Sequence, residues 1–230
     1  RKIYAGDSSK IYLSSDTGKT FSPVLVLNSP VNQLGMDKFT NIYAASATGF
    51  FVLQSSNWTK TGIPQCMVIN TIQSDVEGNV YAASTDGLFK ADKEGKNWQQ
   101  LTKQMGYVNV SAVSPDSNGF VFIATSSGIY RSSNNGQSWL KLNAGLLNFD
   151  INCLLSLKSV HLCGTKYGLF RSTDNGGNWK QIISIPSGSS VHTLIQTTQG
   201  TLLAGTSTGI YSSKDNGNSW QLKSSPVVTS

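Results

Sequence analysis

Short apolar segments recur along the whole chain, and clusters of Gly, Asn, Asp, Ser and Thr separate one segment from the next. One stretch shows the pattern well, because such segments occupy residues 69–72, 80–84 and 87–90, and a fourth begins at Trp98. Segments of this length between turn-forming residues predict short β-strands joined by tight turns. No convincing helical periodicity is present, so we predict strands rather than helices.

The four-strand pattern repeats along the chain. A hydrophobic residue within a Tyr-Ala-Gly/Ala-Ser/Thr pattern marks each copy, and the copies are separated by 39, 38, 41, 40 and 41 residues. The marker residues are Tyr4, Tyr43, Tyr81, Phe122, Leu162 and Leu203. An aromatic residue follows five of them after 17 positions, whereas the second copy is two residues shorter and places Trp58 there.

A period of about 40 residues with four short strands is what one blade of a β-propeller requires. We therefore predict an all-β fold, a six-bladed β-propeller of four-stranded antiparallel sheets in one domain, residues 1–230. The repeat units span residues 1–40, 41–78, 79–119, 120–159, 160–200 and 201–230.

The two ends of the chain suggest how the propeller closes. The first copy starts at its second strand, and residues 227–230 align with the first strands of the other copies. We expect this C-terminal strand to complete the first blade and so remove an open sheet edge. The alternative is that the chain is an excerpt of a longer repeat array with terminal units of its own. Because the chain begins with Arg1 rather than Met, we expect a processed or trimmed product whose signal peptide is not in view.

Composition narrows the range of partners. Only 13% of the residues are charged, about half of the usual ~25%. The net charge is +6, but the basic residues are scattered rather than clustered, so we do not expect nucleic-acid binding. No apolar run approaches the ~18 residues that span a bilayer, so we expect no membrane insertion. The expected location is extracellular or periplasmic.

The three cysteines, Cys66, Cys153 and Cys163, give no disulfide framework because their number is odd. A tight turn near residues 158–159 would place Cys163 opposite Leu154. Cys153 and Cys163 would then lie on opposite faces of one sheet. We predict free, buried thiols and no metal site.

A turn motif precedes most of the repeated aromatic residues. Clear copies run over residues 14–21, 172–179 and 213–220, and the copy at residues 132–139 has Asn134 in place of Asp. The copy at residues 91–98 keeps only the Gly and Trp in register, and the motif is lost at residues 54–58. This pattern resembles the Asp-box, or BNR, repeat of sialidases, sortilin-like receptors, xyloglucan-degrading enzymes and photosystem assembly factors.

The chemistry of the motif predicts a structural role. Asp and Ser side chains bond the backbone of a tight turn, and the Gly adopts a backbone conformation that other residues resist. The residues assigned to this role are Asp16, Gly18, Gly136, Asp174, Gly176, Asp215 and Gly217. The resemblance implies that this turn joins the third and fourth strands, on the side away from the ligand site.

No catalytic set, metal or cofactor is predicted. A sialidase-like site needs three convergent arginines, and Arg131 and Arg171 occupy equivalent positions that would spread around the rim. A glycosidase needs two nearby carboxylates, and only Asp7, Asp86 and Asp150 fall on the expected ligand side, in different repeats. No Gly-x-Ser-x-Gly element presents a nucleophile.

A ligand is expected at the mouth of the propeller channel. The second residue of the first strand is polar in most copies: Asn32, Asn70, Ser111, Asn152 and His192. Neighbouring loops add Asp86, Tyr107, Phe149, Asp150, Lys166 and Tyr167. The polar ring could instead hold only ordered water, and the aromatic residues could pack beneath their own loops.

These features predict a non-catalytic module that recognises a glycan or a protein segment, with flanking domains in a longer chain. The alternatives are an enzyme resembling glycoside hydrolases with a divergent carboxylate site, and an assembly or scaffold factor.

Overall fold

A computed structural model describes residues 2–37, 40–54, 56–62 and 68–224 of the chain. Six antiparallel sheets follow one another along these residues, and strand order within each sheet follows chain order. The strand predicted at residues 227–230 and the predicted buried thiol of Cys66 lie outside the described residues. Closure by the C-terminal strand therefore stays a prediction.

The first sheet contains β1 (Ile3–Gly6), β2 (Lys10–Ser14) and β3 (Ser22–Val26). The second contains β4 (Val31–Met36), β5 (Ile42–Ser46), β6 (Gly49–Gln54) and β7 (Asn57–Thr61). The third contains β8 (Ile69–Ser74), β9 (Val80–Ser84), β10 (Gly87–Ala91) and β11 (Gln99–Gln100).

The fourth sheet contains β12 (Val110–Pro115), β13 (Val121–Thr125), β14 (Gly128–Ser132) and β15 (Leu140–Lys141). The fifth contains β16 (Ile151–Ser156), β17 (His161–Thr165), β18 (Gly168–Ser172) and β19 (Lys180–Gln181). The sixth contains β20 (Val191–Gln196), β21 (Leu202–Thr206), β22 (Gly209–Ser213) and β23 (Gln221–Ser224).

The chain divides into two compact units, Arg1–Val113 and Ser114–Ser230. Within the described ranges the only helix is one 3-10 turn, Lys103–Met105. No helix in the described part of the chain is long and apolar enough to cross a membrane. The predicted organisation as one domain over residues 1–230 stays a prediction.

Burial falls from the second strand of a sheet to the fourth. Every residue of β9, β13 and β17 is buried, whereas β11, β15 and β23 are exposed. The second strands can be buried on both faces because they contain small residues. A Cβ at Gly164 would lie 2.7 Å from Val191 Cγ1 of the next sheet, and one at Gly6 would lie 2.6 Å from Val31 Cγ1. Glycine therefore permits the close approach of neighbouring sheets at these positions.

The Asp-box turn has the predicted structural chemistry. The hydroxyl of Ser172 donates to Asp174 Oδ1 (2.7 Å) and accepts from the Gly176 N–H (3.0 Å). The backbone N–H of Asn178 donates to Asp174 Oδ1, and its side-chain amide donates to Oδ2, each over 2.8 Å. The side-chain bond from Asn178 leads these interactions in lowering the pKa of Asp174 to about 2.

The other copies repeat this network. Asp16 accepts from Ser14 and Thr20, and Asp215 accepts from Ser213 and Ser219. Hydrogen bonds from Thr20 and Ser219 lower the pKa of Asp16 and of Asp215, respectively. Asn134 replaces the carboxylate with an amide, which accepts from the Ser138 N–H and donates to the Ser138 hydroxyl.

Where the contact lies within one unit, the aromatic residue after an Asp-box turn contacts the preceding sheet. Trp179 is 3% exposed, and its indole N–H donates to the Leu142 carbonyl (3.0 Å). The Trp98 ring meets the Phe50 ring edge-on with centroids 4.9 Å apart, and its N–H donates to Thr61 Oγ1 (3.4 Å).

The altered turn at residues 91–98 is more regular than its sequence suggests. Asp92 accepts bonds from the backbone of Glu94 and Lys96 and from the Asn97 side chain. Because Asp92 lies one position earlier relative to the Trp than Asp174 does, a search for the motif in register does not detect this network.

Cys163 pairs with Leu154 across β17 and β16, as predicted, and both Cys153 and Cys163 are free thiols, with Cys163 buried and Cys153 only partly buried. Burial raises the pKa of the Cys153 thiol to about 12 and raises the pKa of Cys163 well above its usual value.

We predict that Asp215→Ala lowers the free energy of unfolding by about 1–2 kcal/mol, because three donors lose their acceptor. Asp215→Asn should cost less, because Asn134 already serves in the same position of another copy. The folded-state pKa of Asp215 is depressed, so the carboxylate stabilises the fold above about pH 4 and loses this effect as pH falls. Denaturant titrations from about pH 7 to about pH 3 should show that the difference in free energy of unfolding between the unmodified protein and Asp215→Asn becomes smaller. A difference in free energy of unfolding that does not depend on pH would contradict this prediction.

We also predict that native Cys153 and Cys163 react with a thiol reagent at least about a hundredfold more slowly than in denaturant, because burial suppresses the thiolate. The measurement uses a Cys66→Ser background so that only these two thiols report. Fast reaction of the folded protein at about pH 8 would show that the thiols are accessible.

Candidate functional site

The first strands of four sheets share a β-bulge at their second residue. The pairing register shifts between Val31 and Gln33, and equivalent shifts occur in β8, β16 and β20. The residues at these bulges are Asn32, Asn70, Asn152 and His192. A bulge turns a side chain out of the regular alternation of a strand. It therefore presents these predicted ligand residues at one end of each sheet.

The three asparagines also connect neighbouring sheets. Their side-chain amides donate to the carbonyl of the first residue in the next first strand. Asn32 reaches Ile69 (3.0 Å), Asn70 reaches Val110 (2.8 Å), and Asn152 reaches Val191 (3.0 Å). The amide nitrogens are thus already engaged within the protein. The sequence signal for this role is the recurrence of Asn at one repeat position, which by itself indicates only a polar ring.

A glutamine strengthens the junction between the second and third sheets. Gln33 Oε1 accepts from the Ile72 N–H (2.7 Å), and Gln33 Nε2 donates to the Ile72 carbonyl (3.4 Å). Both partners belong to the backbone of β8, so the junction fixes the spacing of β4 and β8 beside the bulges.

Two loop residues of the predicted site lie in the first unit. Tyr107 follows the 3-10 turn and is 97% exposed, so it does not pack beneath its own loop. Asp86 lies in the turn between β9 and β10, where Gln100 Nε2 donates to its backbone carbonyl (2.9 Å).

The fifth sheet brings together Phe149, Asp150, Asn152, Lys166 and Tyr167. The Lys166 N–H donates to the Asp150 carbonyl (2.9 Å), which joins the loop before β16 to the turn between β17 and β18. The Lys166 ammonium lies 5.7 Å from the centroid of the Tyr167 ring. Tyr167 and Phe149 are 47% and 39% exposed. This end of the sheet therefore presents two aromatic rings and a cation on a hydrogen-bonded scaffold. In the sixth sheet, His192 is exposed at the equivalent bulge.

The carboxylates near the turns serve the fold. Asp7 Oδ1 accepts from the N–H groups of Ser9 and Lys10, and Oδ2 accepts from the Tyr12 hydroxyl (2.8 Å). Hydrogen bonds, led by that from the Ser9 backbone, lower the pKa of Asp7. A carboxylate used in this way by its own turn is poorly placed for acid–base chemistry.

A second turn motif lies at the other end of the sheets. Asp75 accepts from the Asn79 backbone and side chain and from the Tyr81 hydroxyl. Asp37 does the same with Asn41 and Tyr43. Sequence reasoning placed these carboxylates in turns but did not identify the recurring Asp-Asn-Tyr network.

Arg131 and Arg171 do not converge, in agreement with the prediction. Arg131 Nη1 donates to the Asn175 carbonyl (2.7 Å), whereas Arg171 Nε donates to the Asn216 carbonyl (2.9 Å). Each arginine thus binds a different Asp-box turn. His161 is 1% exposed against the Phe122 ring, and burial lowers its pKa. The described residues contain no group of three or more His, Cys, Asp or Glu side chains that could hold a metal.

Comparison with known proteins supports these observations. The BNR-Asp box repeat family matches residues 169–182, which include the turn built around Asp174. The extracellular domain of a proposed one component system from B. thetaiotaomicron superposes with a TM-score of 0.76 at 15% identity. The match covers 96% of this chain and 32% of that one. The chain therefore contains Asp-box repeats and has a β-propeller fold.

Two further solved structures share this fold with the Asp-box repeat protein. The GH74 xyloglucanase from Xanthomonas campestris has a TM-score of 0.72 at 17% identity, covering 96% of this chain and 43% of the enzyme. The structure of YCF48 bound to D1 peptide has a TM-score of 0.69 at 15% identity, covering 96% and 76%. No curated protein sequence matches the chain significantly. The chain spans about a third of the length of the B. thetaiotaomicron protein.

We predict that Asn70→Ala lowers the free energy of unfolding by about 1–2 kcal/mol, because the Val110 carbonyl loses its donor from the neighbouring sheet. Thr198→Ala, in an exposed turn, provides the control and should change stability by less than about 0.5 kcal/mol. Equal denaturant midpoints for both variants would show that the amide contributes nothing to the junction.

Proposed function

We propose that this Asp-box repeat protein is a non-catalytic binding module that recognises a glycan or a protein segment through the bulge end of its sheets. The observation that carries the proposal is the exposure of Tyr107, Phe149 and Tyr167 on loops held by backbone hydrogen bonds. Aromatic side chains on a rigid scaffold supply apolar contact area at low entropic cost, and they stack on sugar rings or anchor peptides.

The fifth sheet supports recognition most strongly. Tyr167 offers an exposed ring, and Lys166 places a cation close to it. The Asp150–Lys166 backbone bond holds the two loops together, so little ordering is needed when a ligand binds. Leu147 is 75% exposed in the same loop and extends the apolar surface.

The similar structures are compatible with either ligand class. YCF48 is seen bound to a peptide, and the GH74 enzyme is a xyloglucanase. The proposal places the module outside the cytoplasm, in a longer chain with flanking domains, because the B. thetaiotaomicron neighbour is an extracellular domain of greater length. A glycoside hydrolase has less support, because Asp7 is committed to its own turn.

We predict that Tyr167→Ala weakens binding by at least about tenfold without changing the melting temperature, because an exposed anchor contributes to recognition rather than to folding. Binding is measured against an array of plant and bacterial glycans and a displayed peptide library, and then by calorimetry with the best binder. Leu140→Ala, exposed on β15, is the control.

Turnover of any glycoside on the array, abolished by Asp86→Ala or Asp150→Ala, would contradict a non-catalytic role. Unchanged affinity in Tyr167→Ala would show that recognition uses another surface.

A further inference from the structure

A cleft of about 1070 Å³ lies between the first and second sheets of the first unit. This volume is at the upper end of the ~300–1,000 Å³ typical of small-molecule sites. Its walls include Tyr4 and Leu13 from the first sheet and Met36 and Trp58 from the second. Most lining residues lie at the starts of β1 and β5 and the ends of β2, β4 and β6, and Val24 of β3 and Trp58 of β7 also line the cleft. These strand ends are opposite the Asn32 bulge, so the cleft is separate from the proposed recognition surface.

The missing Asp box accounts for the cleft. In the third sheet, residues 92–98 connect β10 to β11, and this turn covers the second sheet, where a Cβ on Gly95 would lie 2.8 Å from Val52 Cγ2. Trp98 adds its ring against Phe50. In the second sheet, Gln54 pairs directly with Asn57, so only residues 55–56 connect β6 to β7. The shorter connection has no Asp-box turn to cover Tyr4 and Leu13, which occupy the positions of Tyr43 and Val52 in the repeat.

A buried hydrogen-bond donor is left in the cleft. The indole N–H of Trp58 is inaccessible to solvent and has no acceptor among the described residues. The corresponding indoles of Trp98, Trp179 and Trp220 each donate to an acceptor. Because a buried polar group without a partner is costly, a small rotation of the ring that brings this N–H to an acceptor in the cleft would be favourable.

The walls indicate the chemistry of such a ligand. Tyr4 meets Trp58 edge-to-face with ring centroids 6.4 Å apart, and Ile3 and Met36 line the cleft while remaining 40% and 65% exposed. Lys2 is the single charged side chain among the described lining residues. An apolar and aromatic wall with one cation and one indole donor favours a flat, apolar anion.

We infer that this cleft is a second binding site, which takes a planar aromatic molecule bearing an acid group. The ring lies where an Asp-box turn would otherwise cover Tyr4 and Leu13. After such a rotation of Trp58, the acid group accepts from its indole N–H, and it is attracted to Lys2. The site is independent of the proposed recognition of glycans or peptides at the bulge end.

The test uses 8-anilinonaphthalene-1-sulfonate as the probe, with the full chain and fluorescence titration. We expect saturable binding at one site, with energy transfer from Trp58. Trp58→Phe keeps the ring but removes the donor, and should weaken binding about threefold to tenfold. Lys2→Gln should weaken binding of this probe but not of the neutral N-phenyl-1-naphthylamine.

Two variants close the cleft. One replaces residues 53–57 by residues 172–178 of the same chain, which form an intact Asp-box turn, and the other is Val24→Trp, at a half-exposed lining position. Both should reduce probe affinity at least about tenfold, and the second keeps the test decisive if the first does not fold.

Tyr107→Ala is the control and should leave probe binding unchanged, which separates this site from the proposed recognition surface. Unaltered affinity in Trp58→Phe and Val24→Trp would overturn the inference. Equal loss of both probes in Lys2→Gln would overturn the assignment of an acid group.

Discussion

The packing of sheet against sheet within each unit depends on one contact, the Asp-box turn of one sheet against the face of the sheet before it. Gly176 fits against Leu142 and Phe122, and Trp179 follows it into the same space with its indole N–H bonded to Leu142. The glycine is required because a side chain would collide with these neighbours. The Ser172–Asp174 network matters because it holds the turn in the shape that makes this insertion possible.

The two ends of the sheets consequently have different roles. At one end, the Asp-box turns and the Asp-Asn-Tyr turns use their carboxylates to bond nearby backbone and side chains, and these groups are not free for chemistry. At the other end, bulges at Asn32, Asn70 and Asn152 connect neighbouring first strands through side-chain amides. Tyr107 and Tyr167 lie in loops beyond these junctions, and both remain exposed.

The second sheet lacks the Asp-box turn that would insert against the first sheet, and a cleft lies at this junction. Where the connection between β6 and β7 is shortened, Trp58 contacts Tyr4 but an open space remains beside them. Repeat proteins can tolerate such a change because most of the packing of each sheet comes from its immediate neighbours. A defective repeat is therefore a natural place for a cleft to form in an otherwise closely packed fold.

The sequence by itself determined the strands, the repeat length and the turn chemistry, and it placed Cys163 opposite Leu154. These features depend on alternation along a strand and on hydrogen bonds between residues only two to five positions apart, so a single sequence contains them. It also identified the shortened second repeat, although not its consequence. The tertiary structure alone decided the use of the asparagine amides, the partners of Arg131 and Arg171, the exposure of Tyr107 and the cleft beside Trp58. Each of these depends on packing around the side chain, and the bonded partners belong to a repeat about 40 residues away. No local pattern specifies how closely two such repeats approach.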